Sequence, residues 1–190
     1  MFEPKPIIHR IFLSAVLLLA SSCAHPPQPP DTKDARNSGS VKQAKSYLSS
    51  GNYKKALDVY AAALDRHPDS EALLDAYTKA LESIKEDADK AYENQDYAKA
   101  GEIYHTLLKC GFGKRPQLGE LSFDDDYLTM RIGACSKMLI EHGIMKYRTG
   151  DLEQAIAIWK KILVFNPSDR EAKTAIDRAT VQLQNLKQMK

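Results

Sequence analysis

Five histidines, three cysteines and one tryptophan offer this chain most of its chemistry, and their spacing decides what they can do. Nucleophilic catalysis needs a thiol or hydroxyl beside a base, and a closed metal site needs three or four converging ligands. His105 and Cys110 stand five apart, out of phase on a helix, so they are not expected to pair. His142 and Cys135 stand seven apart and share a helix face, yet two ligands do not close a metal site. His9 and His25 fall near the N-terminus, and His67 precedes Pro68. Asp124-Asp125-Asp126 has the charge for calcium but neither the glycine nor the terminal glutamate of a calcium loop; negative charge opening a helix accounts for it. These residues predict no catalytic group, no metal and no cofactor, and therefore a protein that is not an enzyme.

Cys23 is a different case. It follows Leu19-Ala20-Ser21-Ser22, small residues that admit a peptidase, at the end of an apolar run from Ile11 to Ala20 behind Lys5, His9 and Arg10. The run is too short to span a bilayer as a mature helix. This stretch resembles the lipobox of bacterial lipoproteins. The resemblance implies that residues 1–22 are a signal peptide cleaved before Cys23, and that Cys23 is acylated on sulfur and nitrogen, a stable membrane anchor. A general secretory signal and a short uncleaved anchor are the alternatives. Ala24 stands where an inner-membrane retention signal carries aspartate, so the expected location is the outer membrane, facing the periplasm. Residues 23–40 hold Pro26, Pro27, Pro29 and Pro30 among polar neighbours and read as a lipidated, disordered tether, reaching up to about 50 Å at roughly 3 Å per residue.

Lys and Arg number 27 against 25 Asp and Glu, a formal net charge of +2. The bases form no run, so nucleic acid is not an expected partner. Cys110 and Cys135 sit in apolar helical context, where a free thiol behaves as a small hydrophobe; they are expected unpaired, with a disulfide left open.

Three segments repeat one pattern. Gly51-Asn52-Tyr53 leads to Ala56, Leu57, Tyr60, Ala63, Leu64 and Pro68; Gln95-Asp96-Tyr97 leads to Ala100, Tyr104, Leu107 and Leu108; Gly150-Asp151-Leu152 leads to Ala155, Trp159, Ile162 and Pro167. The apolar positions recur at helical spacing. The alanines let a neighbouring helix approach, and Tyr60, Tyr104 and Trp159 fill the space beyond. Gly-Asn and Gly-Asp supply tight turns, and the prolines end helices.

This pattern resembles the tetratricopeptide repeat. The resemblance implies an all-α fold, with antiparallel helix pairs stacked as a short right-handed solenoid. The domain runs over residues 41–190, with motifs near 41–68, 71–112 and 125–167. The second copy departs from the pattern: Gln95 replaces the turn glycine, Phe112 stands at the usual proline, and Gly101 costs about 1 kcal/mol relative to alanine. Ala56 to Ala100 is 44 residues and Ala100 to Ala155 is 55, longer than the family's period of about 34. Two first helices are therefore extended. The stripe Leu73, Tyr77, Ala80, Ile84, Ala88, Ala91 runs without a breaker, and the same is expected from about Asp125 to Thr149. Three extra turns keep the stripe in phase. Ser168 with Glu171 reads as the capping box of a C-terminal capping helix over 168–188, whose apolar face is Ala172, Ile176, Ala179, Leu183 and Leu186.

The same resemblance implies that the first helix of each pair lines a groove, which maps onto Lys45, Lys85, Tyr92, Lys137, Tyr147 and Arg148. Cationic and aromatic groups suit an acidic peptide; a solvated face with tyrosines packed between helices is the plainer reading. The family's asparagine clamp for C-terminal carboxylates is matched here by Lys45 and Glu86, so that specificity is not expected. The loop Gly111 to Ser122, with Lys114, Arg115 and Leu118, is a second candidate contact. The expected function is a membrane-anchored adaptor or scaffold binding a protein partner in the bacterial envelope, serving an outer-membrane, secretion or cell-wall complex. An envelope enzyme or peptidoglycan binder using the 111–122 loop, and a self-associating structural lipoprotein forming a homo-oligomer, are the alternatives.

Overall fold

The computed structural model describes residues 32–189, and side chains from residue 38. Residues 1–31, which carry the expected signal peptide, Cys23 and most of the tether, lie outside the described residues. Among the described residues seven α-helices follow in chain order: α1 Thr32–Ser49, α2 Tyr53–Arg66, α3 Glu71–Glu93, α4 Tyr97–Lys109, α5 Asp125–Arg148, α6 Leu152–Phe165 and α7 Arg170–Gln188. Among the described residues there is no strand. Each helix packs on its successor; the odd helices neighbour one another in one layer, and the even helices form the second. The fold is the expected stack of three antiparallel pairs closed by a capping helix.

Three hairpin turns share one construction. The amide of Gln95 donates to Tyr92 O at 2.9 Å and that of Asp96 to Ala91 O at 2.9 Å; Gly51/Asn52 and Gly150/Asp151 repeat this pair of bonds. The bonds absorb carbonyls orphaned at a helix end, and they require a left-handed residue at the first position. Gly51 at φ 72° and Gly150 at φ 82° supply it freely, whereas Gln95 adopts φ 62° with a side chain attached. The next residue then starts the following helix. Asp96 Oδ1 accepts from the Lys99 amide and Asp151 Oδ1 from the Gln154 amide, both at 3.3 Å.

The repeated small-and-large positions form the contact between layers. Ala56, Ala100 and Ala155 are fully buried, as are Ala63, Tyr60, Tyr104, Leu107, Leu152, Trp159 and Ile162; Tyr97 is buried, and Tyr53 is half-buried with its hydroxyl donating to Asp87 Oδ2 at 3.0 Å. Tyr60 stacks on Tyr77 of α3 at 5.6 Å between ring centroids. Two helical glycines take part in the same packing. Gly101 of α4 lies under the Phe165 ring, where a Cβ would approach to 2.7 Å, so its propensity cost secures close contact with α6. Gly143 of α5 lies under Trp159, whose Nε1 donates to Ile140 O at 3.2 Å.

Two boundaries differ from expectation. Helix α1 begins at Thr32, so residues 32–40 are helical rather than part of a disordered tether; no proline lies between Pro30 and the end of α1 to prevent it. The cap of α7 is Asp169, not Ser168: Asp169 Oδ1 accepts from the Ala172 amide at 2.9 Å, while Ser168 Oγ bonds Asn166. A carboxylate at the N-cap outcompetes a hydroxyl because it also answers the helix dipole. The stripe of α7 is buried at Ala172 and Ala179, half-buried at Ile176 and Leu183, and exposed at Leu186.

Replacing Gln95 with glycine removes a left-handed side chain and is expected to stabilise the protein by about 0.5–1 kcal/mol in urea unfolding. Two alanine substitutions in α5 should have opposite signs. A Cβ at Gly133 meets nothing within 4 Å, so Gly133→Ala should stabilise by up to about 1 kcal/mol through helix propensity. A Cβ at Gly143 would lie 2.1 Å from Trp159 Nε1, so Gly143→Ala should destabilise by about 1–3 kcal/mol, read by tryptophan fluorescence in the same titration.

Candidate protein-docking face

Successive odd helices leave three furrows between them, and their contents differ. At 23 residues α3 is about 34 Å long, whereas α4, at 13, spans about 20 Å. The first half of α3 therefore outruns α4, and the connection from Cys110 to Asp124 fills the missing layer. Phe112 and Phe123 meet edge to face at 5.2 Å and are both buried. Leu118 and Leu121 pack half-buried on the core. Arg115 Nη2 reaches Asp65 Oδ1 at 2.7 Å and Ala61 O at 3.5 Å. The backbone N–H and hydroxyl of Ser122 both donate to the Glu82 carboxylate at 2.6 Å. Of the expected loop contacts, Lys114 alone is exposed; Arg115 and Leu118 hold the loop to the domain.

The middle furrow, between α3 and α5, is closed by a polar network around Asp89. Its carboxylate accepts from the Tyr104 hydroxyl, from the Tyr127 hydroxyl at 2.9 Å, from Lys85 Nζ at 2.9 Å and from Arg131 Nη2 at 3.4 Å. Arg131 also donates through Nε to the Tyr104 hydroxyl at 2.9 Å, and its guanidinium lies 4.0 Å from the Tyr92 ring centroid. Lys85, Asp89 and Arg131 are each about one-fifth exposed, too dry to leave a charge unpaired. Burial pushes the Asp89 carboxyl up, but hydrogen bonds from Tyr104, Lys85 and Tyr127 outweigh it, and the group titrates below its ordinary value.

The outer furrows are open. Between α1 and α3 a cleft of about 660 Å³ is lined by Val41, Lys42, Lys45 and Asp75. Between α5 and α7 lies one of about 460 Å³ with Ile140, Ile144, Trp159 and Ala175 below Arg170 and Arg178. Tyr147 lines it too, donating its hydroxyl to Gln182 Oε1. The six groove residues expected from the sequence are thus divided: Lys45 lines the first furrow, Lys85 and Tyr92 are bound into the second, and Tyr147 lines the third. Lys137 and Arg148 are exposed on α5. Sequence reasoning passed over Asp89, Tyr127 and Arg131; the signal available was Lys85 and Asp89 at i, i+4, beside the stripe that buries α3. It also passed over Arg170 and Arg178, on a helix read only as a cap.

The remaining reactive side chains are dispersed. Cys110 and Cys135 are free thiols; burial pushes Cys135 up to about 12 and also raises Cys110, so neither supplies a thiolate at neutral pH. His105 titrates below its ordinary value because of burial and nearby Lys109, and His142 rests against the Tyr97 ring at 5.6 Å. Asp124 caps α5 by accepting from the Tyr127 amide at 2.7 Å. Among the described residues no three His, Cys, Asp or Glu gather as a metal site, and no helix is long and apolar enough to cross a membrane.

A known family describes the first helix pair. Residues 40–70 match the tetratricopeptide repeat. The described residues as a whole form a helical solenoid of three antiparallel pairs and a cap, in which α3 and α5 are lengthened. Among solved structures, the first tetratricopeptide domain of Spaghetti (RPAP3), bound to the HSP90 peptide SRMEEVD, is 15% identical, with 79% of this chain and 94% of that chain covered and a TM-score of 0.25. No curated protein matches the chain.

The depressed Asp89 value fixes the sign of a pH effect. A carboxylate whose folded value lies below its unfolded one stabilises above the unfolded value, about 3.9, and loses that contribution as pH falls through the folded value. Resistance to urea is expected to fall below about pH 4 in the wild type. Asp89→Asn should flatten that slope and cost about 2 kcal/mol at neutral pH by stranding Lys85 and Arg131.

Proposed function

We propose that this chain is a non-enzymatic, lipid-anchored adaptor that holds a protein partner at the bacterial envelope, most economically at the periplasmic face of the outer membrane. The supporting observation is the pair of open furrows on the odd-helix face of a tetratricopeptide-type stack. Such a face offers extended apolar and cationic surface without a catalytic constellation, which suits segments of protein better than small substrates. The address rests on Leu19 to Cys23. Eight residues, Ala24 to Asp31, separate Cys23 from α1, so the lipid would restrain the start of α1 to within about 25 Å at roughly 3 Å per residue, half the reach of a tether running over residues 23–40.

Two measurements test the two halves of this reading. Mass spectrometry and membrane fractionation of Cys23→Ser should show loss of the acylated N-terminus and release from the membrane; unchanged fractionation overturns the anchor. Crosslinking of the full-length protein in intact cells should trap a defined envelope protein in stoichiometric yield, and its absence overturns the adaptor.

A further inference from the structure

The furrow between α5 and α7 combines an apolar floor with cations that the protein itself does not use. Ile140, Ile144, Trp159 and Ala175 form the floor, and Arg170 and Arg178 form the rim. Among the described residues neither guanidinium has an ion pair, although Arg115, Arg131 and Lys85 are each committed to a carboxylate. Both arginines are exposed on α7, eight residues or about 12 Å apart along the axis. Twelve ångströms is the span of about four residues of an extended strand, or of about two turns of a helix. Helix α7 carries four bases against two acids, and Glu171 is the one carboxylate on the cleft wall. Its volume of about 460 Å³ accepts one or two large apolar side chains.

We infer that this furrow is a docking site for an acidic peptide segment, with one or two large apolar side chains inserted over Trp159 and Ala175 and flanking carboxylates meeting Arg170 and Arg178. The inference rests on the adaptor reading and gives its partner a chemistry. It also excludes the middle furrow, whose cations are consumed by Asp89. The α1–α3 furrow is larger, but Val41, Ala72, Leu73 and Ala76 give it no aromatic floor, and its cations are the lysines Lys42 and Lys45, which lack the planar fork that an arginine offers a carboxylate.

The test uses the full-length chain carrying Cys23→Ser and a short fluorescein-labelled peptide in which aspartates flank phenylalanine and leucine. Fluorescence anisotropy should show salt-sensitive binding that weakens about tenfold in Arg170→Glu/Arg178→Glu and is unchanged in Lys42→Glu/Lys45→Glu. A peptide with lysines in place of the aspartates should not bind. No binding by the wild type, equal binding by the arginine variant, or equal loss in both variants overturns the site. Crosslinking in cells separates this failure from that of the adaptor reading. A partner trapped equally by wild type and arginine variant removes the furrow and keeps the adaptor; no trapped partner removes the adaptor.

Discussion

Helices α3 and α5 are longer by about three turns than the even helices they pack against, and that mismatch governs the rest of the molecule. A stack of equal hairpins buries each apolar stripe against the next layer automatically. Here the first half of α3 would keep one side uncovered where α4 is too short to reach. The loop after α4 supplies the cover with Phe112, Leu118, Leu121 and Phe123, and Glu82 ties its end at Ser122. Because the loop is fixed, the start of α5 is fixed as well, and Tyr127 and Arg131 arrive opposite Asp89. The extended helices, the ordered loop and the closed middle furrow are one consequence in three places.

Charge burial then sorts the cations of the odd face. A half-dry lysine or arginine must find a carboxylate or give up its hydration for nothing. Asp89 serves two cations and two phenols at once, so Lys85 and Arg131 are held inward and presented to no ligand. Where no loop intrudes, as between α5 and α7, the rim cations remain in water. Availability for binding follows from packing geometry more than from residue type, because the same side chains serve both roles.

The parts of this fold legible in the sequence were those written in local spacing. Gly51, Gly150 and the aligned Ala56, Ala100 and Ala155 gave turns and contacts within a few residues of themselves, and the unbroken α3 stripe gave its length. The Gly101 penalty was legible as a cost, but its reason was not, since Phe165 lies 64 residues away. The Asp89 network joins α3, α4 and α5 across up to 42 residues, and no periodicity encodes which tyrosine meets which acid. At the α7 cap two adjacent side chains qualified, and the carboxylate of Asp169, which also answers the helix dipole, holds the position in place of Ser168. A groove mapped by position along each first helix treats the three furrows as equivalent; the long helices make them unequal.

The odd helices are unequal in charge as well. Helix α3 holds seven acids against three lysines, and α7 holds four bases against two acids. Helix α1 holds four bases against one acid, so an acidic segment approaching the odd face is repelled at α3 and attracted toward either end of the stack. In the lipid-anchored reading the membrane lies beside α1, three interhelical steps or about 30 Å from α7 at roughly 10 Å per step. That distance exceeds the screening length of about 8 Å at physiological salt, so anionic headgroups would compete weakly for Arg170 and Arg178. In that reading a short tether at one end and free guanidinium groups at the other belong to the same arrangement: the anchor would limit where the cleft can search, and the solenoid would keep its cations clear of the membrane.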